Sequence, residues 1–133
     1  MQRRRLKIYF DGGCQPNPGT MEIAVVARGR TYYFDDFGYG TNNDAEWLAL
    51  IHAFRVAESL GVVEFILIGD SALVINQATG VAKCRSEALQ RHLDLFRSLT
   101  SGHSRVRVRR IGRAQNLAGI ALAKRQDAAL HRS

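Results

Sequence analysis

Asp11, Glu46 and Asp70 stand where a carboxylate can do more than hydrate a surface. Asp11 ends the apolar run 6–10 and opens into Gly12-Gly13-Cys14-Gln15-Pro16-Asn17-Pro18-Gly19. A strand therefore delivers it to a tight loop, in which glycines let another backbone come close and prolines hold the chain stiff. Glu46 follows Thr41-Asn42-Asn43-Asp44-Ala45 in the first turn of a helix, and Asn43 with Glu46 has the spacing of a capping box. Asp70 follows the apolar run 64–68 and Gly69, at the carboxyl end of a strand, where ligands gather in α/β sheets; an N-cap is its structural use. Asp-Gly is likewise a common turn former, so each acid alone has an ordinary explanation. Together they have another. Like charges at close range need cations between them or must take up protons. Oxygen-only ligands favour Mg²⁺ or Mn²⁺. Such a set, with no His–Cys cluster beside it, points to phosphodiester hydrolysis assisted by two metal ions.

The elements that must bring these acids together can be read in order. Runs 6–10, 22–28 and 31–37 are strands, with Gly29-Arg30 as the hairpin turn, and form an antiparallel meander. A helix over 45–60, apolar nearly all round, ends at Gly61. The run 64–68 is a short buried strand, so strand–helix–strand implies a parallel crossover. Asp70 or Ser71 caps a short helix to Ala78, and 80–85 is a link. Ser86 caps a helix with Leu89, Leu93, Phe96 and Leu99 at helical spacing. Residues 105–109 alternate Arg and Val as a last strand, and 113–130 is a last helix. The expected fold is α/β: a mixed five-stranded sheet, three strands antiparallel and two parallel, flanked by helices. In such a sheet the first and fourth strands lie side by side, and the helix starting at Asn43 packs on them, so the three carboxylates converge.

Composition narrows the class of function. The 133 residues suit one domain, 1–133, and 46% hydrophobic with 23% charged residues marks a globular chain. No apolar run reaches the ~18 residues a membrane span needs. No signal-peptide pattern follows the basic start, so the expected location is cytoplasmic. Two cysteines, Cys14 and Cys84, make neither a disulfide framework nor a zinc site. The net charge of +7 is concentrated in Arg3, Arg4, Arg5 and Lys7, in 105–113, and in Lys124, Arg125 and Arg132. That excess suits a polyanion, most simply nucleic acid.

The chain resembles the type 1 ribonuclease H family. The resemblance is carried by Phe10-Asp11-Gly12-Gly13-Cys14 with Asn17-Pro18-Gly19, by Thr41-Asn42-Asn43 with Glu46, by Gly69-Asp70-Ser71, by Asn76-Gln77 with Gly80, and by Arg113 with Asn116. It implies endonucleolytic cleavage of the RNA strand of RNA–DNA hybrids, leaving 3′-hydroxyl and 5′-phosphate ends. Asp11, Glu46 and Asp70 match the family's catalytic metal ligands, for two Mg²⁺ or Mn²⁺ ions. The implied substrate contacts are Gly12, Gly13, Cys14, Asn17, Asn42, Asn43, Asn76, Gln77, Arg113 and Asn116. Amides suit that task, because RNA is told from DNA through a 2′-hydroxyl that both donates and accepts. Turn and cap duty is the alternative use of Asn42 and Asn43. Arg113 and the arginines of 105–110 would meet phosphate, which gives affinity without sequence choice.

Departures from the family pattern bear on activity. A fourth acid is usual four residues after the last-motif Asn, and here Ile120 stands there. The helix is expected simply to pack at that point, with one metal held weakly. Asp127 lies two turns further, about 10 Å along a helix. Gly112-Arg113 replaces the frequent His, and the short link 80–85 leaves no basic protrusion. His52 is expected in the core or at its edge, His92 in solvent, His103 in a loop and His131 at a frayed end. Two alternatives stay open: a weakened or inactive module that binds hybrid or double-stranded RNA, and a related nuclease with another nucleic-acid substrate. No obligate protein partner is implied, and a monomer is expected.

Overall fold

In the computed structural model, which describes residues 5–103 and 106–131, a nine-residue strand, β1 (Leu6–Cys14), runs through the middle of the sheet. Arg3, Arg4, Arg105 and Arg132, and the expected start of the last strand, lie outside the described residues. The other elements are β2 (Gly19–Ala27), β3 (Arg30–Phe34), β4 (Tyr39–Gly40), α1 (Asn42–Ser59), β5 (Phe65–Gly69), α2 (Ala72–Ala78), α3 (Glu87–Thr100), β6 (Arg107–Arg110) and α4 (Leu117–His131). A single 3₁₀ turn, Arg113–Gln115, precedes α4. The sheet order is β3-β2-β1-β5-β6, with the meander antiparallel and β5 and β6 parallel to β1. That is the mixed sheet expected, with one addition. Tyr39-Gly40, read as loop, pairs with Thr20-Gly19 of β2. Two residues offer no alternation from which to recognise a strand. The β2–β3 turn also lies one residue earlier than expected, at Arg28-Gly29, because Ala27 pairs with Arg30.

β1 is longer than its apolar run. Its antiparallel ladder with β2 continues through Asp11↔Ala24, Gly12↔Ile23, Gly13↔Glu22 and Cys14↔Met21. On the other side the parallel register with β5 ends at Tyr9↔Ile68. Asp11 thus stands on a strand rather than in a loop, just beyond the level at which the β5 side stops pairing. The strand's alternation divides its faces. Ile8 and Phe10 join the larger core with Trp47, Leu50 and Phe54 of α1. Tyr9 packs on the opposite side, with Ala24 and Val26 of β2 and Ala118 and Leu122 of α4.

Both helices approach β1 closely. α1 is buried through Ala45, Trp47, Ala49, Leu50, Ile51, Ala53, Phe54, Val56 and Ala57, which cover nearly every helical direction. A Cβ at Gly12 would lie 2.2 Å from the Ala45 carbonyl oxygen, so only glycine lets the first turn of α1 rest against β1 here. α3 packs outside α1 through Leu89, Leu93 and Phe96. Among the described residues no helix is long and apolar enough to cross a membrane.

Candidate metal centre

Three elements converge on one point. β1 carries Asp11, the first turns of α1 carry Glu46, and Asp70 follows β5. One carboxylate oxygen from each lies within 4.8 Å of the others. The expected Asn43–Glu46 capping box is not what starts α1. Thr41 is the N-cap: its Oγ1 accepts from the Asp44 N–H at 3.1 Å, while Asp44 Oδ2 accepts from the Thr41 N–H at 3.0 Å. The box therefore belongs to Thr41 and Asp44, and Glu46 takes no part in it.

The electrostatics are those of crowded acids. Burial pushes the Asp11 carboxyl up to about 6, with the Asp70 charge adding to it; hydrogen bonds from Glu46 and the Gly12 N–H and the Arg113 charge oppose it. Burial, then the charges of Asp11 and Asp70, push Glu46 up to about 10. Glu46 Oε2 is buried without a hydrogen-bond partner. An orphaned carboxylate oxygen beside two more carboxylates, with only oxygen donors, fits a hard divalent cation.

Asn116 is a correction to the expected substrate contacts. It is fully buried and cannot touch a hybrid. Its Nδ2 donates to Asp70 Oδ2 at 2.8 Å and to the Phe10 carbonyl at 3.0 Å, and its Oδ1 accepts from the Ala118 N–H at 3.1 Å. One side chain thus orients a site acid, ties β1 to it and caps α4. Asn directly before an apolar helix is an N-cap signal that the sequence does carry. Asn116→Ala leaves buried groups unpaired, at a cost of about 2–3 kcal/mol. Chemical denaturation should show that loss, and Asn116→Asp should fail to rescue it, since an added carboxylate faces Asp70.

Gln77 is a second correction. It is 3% exposed, and its Oε1 accepts from Trp47 Nε1–H at 3.0 Å, so it serves the core rather than a groove. Asn76 is half-buried on α2, where its carbonyl accepts from the Ala82 N–H. Cys14 is buried; its N–H donates to Asn42 Oδ1 at 3.0 Å. Both cysteines are free. Asn17 is exposed and accepts from the Asn42 N–H at 3.1 Å. Asn42 and Asn43 are exposed at the mouth of a 680 Å³ cleft that the three acids, Gly12, Gly13 and Arg113 also line.

The α4 side of that cleft is lined by Gly119, Ile120, Leu122, Ala123 and Gln126. Ile120 was expected to pack; instead it is 39% exposed and lines the cleft with Gly119. The buried stripe of α4 is Ala118 and Leu122, and Ile120 falls off it. Asp127 is exposed and does not line the cleft. Of the histidines, His52 is half-buried and packs edge-on against Phe37. His103 packs edge-on against Phe54 and faces Glu58. His92 is not in solvent but half-buried against Asp44. The His131 side chain lies outside the described residues. Arg110 Nε–H donates to the Asp70 carbonyl at 3.4 Å, which puts arginine on the β6 flank of the site.

A family model described as reverse transcriptase-like matches residues 10–126. The ribonuclease HI of Halobacterium salinarum is 34% identical over 128 residues, covering 90% of this chain and 62% of that protein. This chain thus spans about three fifths of that relative's length. A crystal structure of ribonuclease H1 from the same archaeon superposes with a TM-score of 0.81 at 32% identity, covering 90% of this chain and 94% of that one. A ribonuclease H1 called LC11, solved in complex with an RNA/DNA hybrid, superposes with a TM-score of 0.75 at 28% identity, covering 85% and 89% of the two chains.

Proposed function

The chain belongs to the reverse transcriptase-like family and resembles type 1 ribonuclease H, and on that premise we propose that it is an endonuclease cutting the RNA strand of RNA–DNA hybrids to leave 5′-phosphate and 3′-hydroxyl ends. The observation that carries the reading is the meeting of Asp11, Glu46 and Asp70 within 4.8 Å, at the bottom of a cleft with asparagines at its mouth. Asp11, Glu46 and Asp70 are the residues that would hold Mg²⁺ or Mn²⁺. When bound, the ions supply an activated water and a counter-charge for the leaving oxygen.

The protein's own groups prepare the site. Asn116 fixes the direction of Asp70, and the Gly12 N–H bonds the Asp11 carboxylate. Arg113 lines the cleft beside the acids and meets phosphate as it arrives. Asn42, Asn43 and Asn17, with the Gly13 backbone, form a polar ledge suited to the ribose hydroxyls of the RNA strand. Arg109 and Arg110 extend the positive side along β6. Contacts of this kind read sugar and phosphate, so cleavage is without sequence preference.

Ile120 on the cleft wall favours a second reading, a module that binds hybrid without cutting it. Labelled hybrid, with Mg²⁺ and Mn²⁺ titrated separately, decides between them for wild type and Asp70→Asn. Cleavage of the RNA strand by wild type, reduced in Asp70→Asn by about 10²–10³-fold, supports the nuclease. Binding by both without cleavage in either metal supports the module. Cleavage of a branched DNA lacking ribose would move the protein to another substrate class.

A further inference from the structure

His92 lies on α3, away from the three acids, yet it is built into the support of the ledge. Its Nε2 lies 3.0 Å from Asp44 Oδ1, with the imidazole 19% and the carboxylate 21% exposed. An ionised carboxylate only accepts, so Nε2 carries the hydrogen. The other oxygen, Asp44 Oδ2, accepts from the Thr41 N–H at 3.0 Å and from Thr41 Oγ1–H at 2.9 Å. Asn42 comes next in the chain: its N–H donates to Asn17 Oδ1 at 3.1 Å, and its own Oδ1 accepts from the Cys14 N–H at 3.0 Å. Hydrogen bonds thus link α3 to the cap of α1 at Thr41, and through the next residue, Asn42, to Asn17 and Cys14 after β1; Asn42 also lines the cleft. Burial pushes the Asp44 carboxyl up, but the bonds from Thr41 and His92 outweigh it and hold it below its ordinary value. Geometrically the carboxylate is a two-sided acceptor, one oxygen toward α3 and the other toward the cap of α1.

We propose that His92 is a positioning residue for hybrid recognition: by bonding Asp44 from α3 it holds the Thr41–Asn43 turn, and with it Asn17, in the arrangement that meets the RNA strand. This rests on the function proposed above. Glu46 lies further along α1, packed against β1 at Gly12, so loosening the cap disturbs substrate binding and leaves the metal site in place.

The test compares wild type, His92→Ala and His92→Gln, whose amide can replace the Nε2–H donor. Four quantities are read: KM and kcat on hybrid at saturating Mn²⁺, Mn²⁺ affinity by calorimetry, and hydrogen exchange of the Thr41 and Asn42 amides. His92→Ala should raise KM about tenfold, the scale of one charge-assisted hydrogen bond. It should leave kcat within about twofold and Mn²⁺ affinity unchanged, and speed Thr41 exchange; His92→Gln should restore both KM and exchange. An unchanged KM in His92→Ala overturns the proposal. So does failure of His92→Gln to restore it, or a parallel loss of kcat and Mn²⁺ affinity, which would mark general unfolding. If wild type does not engage hybrid at all, the proposed function fails; Thr41 exchange in the three proteins then still decides whether His92 holds the turn.

Discussion

Glu46→Gln is expected to slow cleavage by orders of magnitude while making the metal-free protein more stable. The two effects have one cause. Glu46 is half-buried beside two acids, and desolvation with their charges raises its carboxyl from 4.5 to about 10. Near pH 7 the folded, metal-free protein therefore holds a proton that the unfolded chain releases. Where the folded state binds more protons, stability falls as pH rises. The slope approaches about 1.4 kcal/mol per pH unit for one proton between the two values. Glutamine imitates the protonated form and has no proton to lose. The gain is about 1–3 kcal/mol at pH 7 and grows with pH. Melts from pH 5 to 9 without divalent ions should show a falling curve for wild type and a flat one for Glu46→Gln above pH 6. Below pH 6 both should keep a slope, because Asp11, raised from 3.8 to about 6, still titrates there.

Activity runs the other way. Glutamine keeps the shape of Glu46 and removes the charge and one carboxylate oxygen, so the loss is about 10²–10³-fold, as for other groups that act on transition-state charge. Wild type should bind Mn²⁺ more tightly as pH rises, since binding displaces the held proton. Parallel pH–melting curves for the two proteins would mean that Glu46 is not held protonated, and the account of a strained acid cluster would fail with them.

The order of elements could be read from the chain because each carries its own period. The apolar run of β2, the all-round apolar α1 and the Leu89, Leu93, Phe96 spacing of α3 are local patterns that the tertiary structure keeps. The convergence of the acids could be read for a similar reason: a parallel crossover leaves few ways to arrange β1, α1 and β5. What could not be read depends on partners distant in sequence. Gln77 looks like a surface amide until Trp47, 30 residues away, supplies the donor that buries it. Asn116 looks like a ligand contact until Phe10 and Asp70, 106 and 46 residues away, claim its amide. His92 reads as solvated because nothing near it on α3 shows that Asp44 lies opposite. The capping box is a different failure. Both Asn43–Glu46 and Thr41–Asp44 have the right spacing, and only the point where α1 leaves β4 selects the second.

Ile120→Asp is expected to tighten Mn²⁺ binding about tenfold, near 1.4 kcal/mol, and to lower the metal-free melting temperature. The position already faces the cleft, so the carboxylate needs no burial in the core. The preceding residue shows how close α4 comes: a Cβ at Gly119 would lie 3.5 Å from Asp11 Oδ2 and 3.6 Å from Asp70 Oδ2. An acid this near the start of α4 is favoured by the helix dipole, which offsets part of its repulsion from the other three. Without a cation the remaining repulsion destabilises the fold; with one, the same charge is attractive, so the two effects must have opposite signs. Gly119→Ala is the control with the reverse signature. Its methyl makes ordinary contacts and replaces a helical glycine, which favours the helix by up to about 1 kcal/mol. It also occupies the α4 side of the two Oδ2 atoms, where a hydrated ion must fit, so Mn²⁺ affinity should fall while the melting temperature rises. Calorimetric titration beside thermal melts reads both quantities. An Ile120→Asp protein that melts lower and binds Mn²⁺ no better would show that the α4 wall does not reach the ions, and the apolar residue there would then have no part in setting metal affinity.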